Sequence, residues 1–171
     1  MARTEIERTV LPSLLDRLTD DAPRTPADPP ITREESVRRF RNGVLRDVEW
    51  LLNTRRTPAP VADVLGEVRR SAFTYGLPDT TGVPLGTIAG REQLVRWVEE
   101  TIDTFEPRLA DVRVTLAEAE QVRAPQVRFA LTALLRVEPS PERIVFDTVY
   151  DLATGDYAVG RAQAGAGGVA A

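Results

Sequence analysis

The sequence predicts an α+β domain: three main helices packed on a small antiparallel sheet of three to four strands, preceded by a short helical arm. Two observations predict it. Apolar residues recur at spacings of three and four through the first two thirds of the chain, then at spacings of two from Val112 onward. The helical segments all precede the strands, an order that places helices on one face of an antiparallel sheet. The expected organisation is an arm and Pro-rich linker over 1–31, one domain over 32–160, and a disordered Gly/Ala tail over 161–171.

The arm carries Ile6, Val10, Leu11, Leu14, Leu15 and Leu18. Pro12 is tolerated only in a first turn, so a short helix is expected from there to about Thr19. The connection that follows, Asp20 to Pro30, holds four prolines in eleven residues and reads as stiff and extended.

Thr32 followed by Glu35 is a capping box, and a helix is expected from there to about Arg55. Val37, Phe40, Val44, Val48, Leu51 and Leu52 form its apolar stripe. On the opposite face Arg39, Gly43, Arg46 and Trp50 fall in line. Glycine costs about 1 kcal/mol relative to alanine inside a helix. Gly43 two turns before Trp50 therefore suggests a close approach, either by a partner or by another part of the same domain.

A second core helix is expected between Pro60 and Tyr75, with Val61, Val64, Leu65, Val68, Ala72 and Tyr75 as its stripe and Gly76 as its C-terminal stop. After a Pro/Gly loop, a third helix should begin between Thr87 and Arg91 and end near Phe105, halted by Pro107. Leu94, Val95, Val98, Ile102 and Phe105 face one way; Glu99, Asp103 and Glu106 face the other. Strands are expected around Val112–Leu116, Val127–Val137 and Ile144–Tyr150, joined near Gln121–Pro125 and Glu138–Glu142. Thr154–Gly155 turns the chain into a short fourth strand at Tyr157–Val159.

Composition narrows the chemistry. The chain has neither Cys nor His, which excludes thiol chemistry, disulfides, a Ser-His-Asp triad and His-ligated metals. No cofactor or metal is expected, and no Gly-rich phosphate loop is present. A net charge of −4 argues against a general nucleic-acid footprint. All 22 basic residues are Arg, which favours bidentate pairing with carboxylates. Neither a signal peptide nor a run of the ~20 apolar residues needed to cross a membrane is seen, so a cytoplasmic protein without direct membrane insertion is expected.

Four segments in order carry a resemblance: Leu14-Leu15-Asp16-Arg17-Leu18-Thr19, Arg46-Asp47-Val48-Glu49-Trp50-Leu51-Leu52-Asn53-Thr54-Arg55, Tyr75-Gly76-Leu77-Pro78-Asp79 and Phe105-Glu106-Pro107-Arg108-Leu109. They resemble the TssE family of type VI secretion baseplate proteins, similar to a lysozyme-like wedge protein of contractile phage tails, across residues 11 to 160. The resemblance implies a non-enzymatic structural part of the wedge. Its implied partners are TssF, TssG and TssK, with contacts that help join the baseplate to the contractile sheath near the inner membrane. It also implies assembly contacts for Glu106, Pro107 and Arg108. Phe40 and Gly43 depart from the family pattern, and so does the Gly-rich tail.

The residues themselves leave two readings open at each candidate. Pro107 fixes a rigid helix-to-strand corner, from which Glu106 and Arg108 are expected to point in different directions. Arg108 then pairs with a carboxylate either of this chain, as an internal clamp, or of a partner. On the partner reading, Arg108→Ala leaves the isolated domain folded. Leu14, Leu15, Asp16, Arg17 and Leu18 either dock back on their own core or lie in a partner's groove. Trp50 is the remaining partner-contact candidate.

Two other functions compete with this reading. A glycosidase needs two suitably spaced carboxylates, one with a raised pKa in an apolar pocket. Glu99, Asp103 and Glu106 are the candidates, but no aromatic cluster surrounds them, and pairing of Arg96 with Glu92 and Glu100 suggests a solvated face. An anti-adaptor-like regulatory binding protein is also compatible with the strand-rich half.

Overall fold

The computed structural model of the chain describes residues 9–19, 23–24, 30–116 and 126–161. Most of the Pro-rich connection, the expected Gln121–Pro125 connection and the tail beyond Arg161 lie outside the described residues. The α+β class holds. Helix α1 spans Leu14–Leu18, α2 Arg33–Asn53 and α3 Ile88–Phe105. Strands β1 (Leu109–Leu116), β2 (Gln126–Leu135), β3 (Glu142–Asp151) and β4 (Tyr157–Arg161) form one antiparallel sheet in the order β1-β2-β3-β4.

The long helices start where their caps dictate. The Thr32 hydroxyl accepts the Glu35 N–H, and the Thr87 hydroxyl accepts the Gly90 N–H. Glu35 turns its carboxylate to Arg38 and Arg39. Phe40, Val44, Val48, Leu51 and Leu52 of α2 meet Leu94, Val98 and Ile102 of α3 over the inner face of the sheet, where Phe129, Leu131, Leu135, Ile144 and Phe146 are buried. Each such side chain contributes roughly 1.5–3 kcal/mol on burial. The C-terminal end of α2 is stitched to β4: the Asn53 side-chain amide donates to the Tyr157 carbonyl and accepts the Tyr157 N–H, both at 2.8 Å.

A bulge corrects the expected start of β1. Leu109 and Val112 are an odd distance apart, so plain alternation sends them to opposite faces, yet both are buried. Between Ala110 and Arg113 the register slips by one residue, and Asp111 adopts a left-handed conformation (φ 51°). The extra residue resets the parity, so the strand begins three residues earlier than Val112.

The helix expected between Pro60 and Tyr75 does not form. In its place are two short 3₁₀ turns, Val68–Arg70 and Ala72–Thr74, and Val64 is 86% exposed. Local hydrogen bonding defeats the helical period. Ser71 is extended; its hydroxyl accepts the Phe73 N–H and donates to the Val68 carbonyl. Thr74 donates its hydroxyl to the Arg69 carbonyl at 2.8 Å. Such side-chain bonds compete with a helical ladder. Gly66 and the β-branched Val61, Val64 and Val68 weaken that ladder further. The stop signal is real nonetheless. Gly76 has φ 103°, and a Cβ there would sit 2.2 Å from the Thr54 carbonyl oxygen, where Arg55 and Leu77 form a short parallel bridge.

Candidate functional site

Among the described residues the corner between α3 and β1 holds the one buried carboxylic acid, Glu106. Glu106 caps α3, its N–H bonded to the Ile102 carbonyl, and Pro107 prevents another turn. Residues two apart in an extended bend share a face. Glu106 and Arg108 therefore point the same way, correcting the expectation that they diverge. The Glu106 carboxylate accepts the Arg108 N–H at 3.2 Å and its Nε–H at 2.6 Å, and a third bond comes from Nη2. Glu106 is only 4% exposed. Arg108 lies 5.9 Å from the Phe40 ring centroid, so Phe40 forms one wall of the corner.

Arg108 also reaches α2, its Nη2 donating to Asp47 Oδ2 at 2.7 Å. Asp47 uses its other oxygen to accept Nε and Nη2 of Arg46, at 3.0 and 2.8 Å. Arg46 Nη1 donates to Asp16 Oδ1 at 2.7 Å, and Asp16 Oδ2 accepts the Ser13 hydroxyl at 2.6 Å. Five alternating charges, Glu106, Arg108, Asp47, Arg46 and Asp16, thus run from the corner across α2 to the arm.

The electrostatics follow the geometry. Hydrogen bonding to Glu106, then to Asp47, holds the Arg108 guanidinium more firmly protonated than usual despite burial. Arg46 is held the same way by Asp16 and Asp47. Burial alone would raise the Asp16 pKa, but bonds from Ser13 and Arg46, with the Arg46 charge, bring it below the usual carboxylate value. Tyr75, edge-on to Phe105 at 5.4 Å, has its pKa raised by burial and then by the charges of Asp47 and Glu106.

Gly43 marks the other close approach. A Cβ on it would lie 2.9 Å from Asp16 Oδ2, so the group that comes near is the arm. The arm lies along α2 with its polar side down: the Val10 N–H donates to the buried Ser36 hydroxyl, and Asp16 meets Arg46. No residue of α1 is buried. The helix is capped by Ser13, one residue after the expected Pro12 start. Trp50 stacks under Arg46 at 5.0 Å and is 52% exposed.

Sequence reasoning missed Asp47 as the hinge of this network, although it stands inside the second quoted motif, beside Arg46. It also missed Ser13. Arg108 is visible in the sequence as a cation in need of a carboxylate and Arg46 as part of a helix face; that Asp47 serves both is not. A groove of about 590 Å³ was missed as well. Arg55, Arg56, Pro58, Trp97, Thr101 and Phe105 are among the residues lining it.

The three carboxylates weighed for glycosidase chemistry do not share one environment. Glu99 accepts the Val114 N–H at 2.7 Å, Glu106 is closed in by Arg108, and Asp103 lies on the surface. Burial raises the Asp103 pKa; nearby Arg113 opposes the shift, while Glu99 and Asp111 add to it. The surface pairing expected of Arg96 with Glu92 and Glu100 is absent among the described residues.

The family model described as "Baseplate wedge protein gp25" matches residues 38–140, more than half of the chain. The chain belongs to the gp25 baseplate wedge family. The matched region contains α2 from residue 38 on, α3, β1 and β2, and with them Asp47 and the whole Glu106-Pro107-Arg108 corner; the arm precedes it. The chain is also similar to one in a solved structure described as "The baseplate complex from the type VI secretion system". Identity is 24%, with 70% of this chain and 98% of that chain covered at a TM-score of 0.45. Among curated proteins no match is found. Among the described residues no helix is long and apolar enough to cross a membrane.

Proposed function

We propose that this gp25-family chain is the TssE-type wedge subunit of a type VI secretion baseplate, a rigid part that works by contact and catalyses nothing. Its partners are TssF, TssG and TssK, and it helps join the baseplate to the contractile sheath on the cytoplasmic side of the inner membrane. One observation carries the reading: the corner that the family motif marks, Glu106-Pro107-Arg108, is clamped onto α2 within the family-matched region. A clamped corner keeps its neighbouring surface in one shape, which is what a wedge needs to meet several partners in fixed geometry. The internal clamp and an assembly role are compatible. The pair stiffens the corner, and the exposed Pro107 beside it is free to be touched.

Mixing the purified chain with TssF and TssG from the same genome tests the reading. A stable ternary species on size exclusion, with mass confirmed by light scattering, is the expected result. A chain that elutes alone at every ratio would rule the assignment out.

A further inference from the structure

The arm is built inside out for a segment that merely docks on its own domain. An amphipathic segment ordinarily turns its apolar side inward. Here Val10 packs against the core, but the helix of the arm meets α2 through polar groups and its leucines face solvent. Leu14 and Leu18 are 70% and 76% exposed, with Leu11 and Leu15 also open. The orientation is set by specific features. Ser36 holds the start of the arm, and Arg46 holds its helix. The missing side chain at Gly43 leaves room for the Asp16 carboxylate. Arg46 also joins the arm to Trp50, whose ring it covers.

Charge narrows what can cover this surface. Arg17, exposed between Leu14 and Leu18, makes no ion pair with any described residue. Arg38 and Arg39 share the single carboxylate of Glu35. Asp16, the arm's acid among the described residues, is already neutralised by Arg46. Among the described residues Arg17 is therefore an uncompensated cation set between the leucines, on a chain whose net charge is −4.

We propose that Leu11, Leu14, Leu15 and Leu18, together with Trp50, form a docking ridge for a baseplate partner whose receiving surface is an apolar groove rimmed by carboxylates. The inference rests on the baseplate reading above and adds the place and chemistry of one contact. Holding the arm on α2 before the partner arrives removes part of the ordering cost of binding. The exposed Arg17 cation speeds encounter with an acidic surface and makes binding salt-sensitive.

The test measures binding of the full chain to a purified TssF–TssG complex, by calorimetry or interferometry at two ionic strengths. Two variants are compared with wild type: Leu14→Ser/Leu18→Ser and Arg17→Glu. Neither removes a buried group, so both should keep the wild-type circular dichroism and melting temperature. The serine pair should weaken binding about tenfold or more, equivalent to about 1.4 kcal/mol. Arg17→Glu should weaken it most at low salt. If both variants bind like wild type, the ridge proposal is wrong and the baseplate reading stands. If wild type itself fails to bind, the baseplate reading falls and takes the ridge with it. If the chain alone forms a dimer that the serine pair abolishes, the ridge fits a second copy, which also overturns the proposal.

Discussion

Two regions of this molecule are tied to the same helix by the same string of charges, and they depend on it in opposite ways. At the corner, Glu106 is buried and all three hydrogen bonds its carboxylate accepts come from Arg108. At the arm, Asp16 and Arg46 are partly exposed, and α1 buries nothing. A buried charge that loses its partner is stranded in a medium that solvates it poorly. A surface charge that loses its partner is rehydrated. The lesson is that an ion pair's contribution is set by what remains if it breaks. The corner clamp belongs to the folded core, whereas the arm latch only chooses an orientation.

The sharpest way to break that comparison is Arg108→Ala. The sequence alone led to the expectation that the isolated domain would tolerate it. The geometry reverses this, because Glu106 would be left buried without its guanidinium. The expected loss is about 3 kcal/mol, at the lower end for breaking a buried pair since Arg108 itself is partly exposed. Urea unfolding of the isolated chain measures it. The double variant Glu106→Gln/Arg108→Ala should recover much of the loss, since no unpaired charge remains. A single variant as stable as wild type would show that water reaches Glu106 and that the corner is no different in kind from the arm.

The same contrast explains which parts of the structure were legible in the sequence. Strong periods with caps at their ends were: Thr32 and Thr87 start their helices, Pro107 stops one, and the alternating runs of β2 and β3 pair residue for residue. The segment from Val61 to Tyr75 had a comparable period but lacked a cap hydroxyl at its start. Inside it, Ser71 and Thr74 offer the backbone other partners. The bulge at Asp111 was hidden because a parity change is invisible until both neighbours are known to be buried. The site was half legible. Glu106, Arg108, Asp16, Arg46 and Gly43 stood out by type or position. Asp47 did not, because its role depends on Arg46 and Arg108, which are separated in the chain by the last third of α2, a long connection and the whole of α3.

Acid should separate the two regions next. Asp16 has a lowered pKa in the folded chain, so its contribution is complete above the ordinary carboxylate value of about 3.9 and is lost as pH falls through the lowered one. The arm is therefore expected to stay docked from neutral pH down to about pH 4 and to release below it. Trp50 fluorescence reports this in a Trp97→Phe background, because Arg46 contacts both Trp50 and Asp16. In Asp16→Asn the signal should already be that of the released arm at pH 7, with no further step on acidification. Stability should fall by about 1 kcal/mol, near the upper end for a surface pair because this one is only partly exposed. An acid step that persists in Asp16→Asn would assign the titration to another carboxylate.

Gly43→Ala gives the smallest and most diagnostic effect, because two opposing terms meet at one atom. Alanine improves the interior of α2 by about 1 kcal/mol relative to glycine. The new methyl would lie 2.9 Å from Asp16 Oδ2, the movable end of a side chain, so the carboxylate yields and the helix does not. Asp16 then loses its alignment with Arg46, a surface pair worth about 0.2–1 kcal/mol. The two terms nearly cancel, so the melting temperature should hold or rise slightly. The arm should meanwhile loosen, read as faster tryptic cleavage after Arg17. A core glycine needed for close helix packing would behave in reverse: stability would drop and cleavage would rise only with global unfolding. A variant that melts earlier and keeps its arm protected would therefore place the reason for Gly43 in the domain, and the polar latch would lose its explanation.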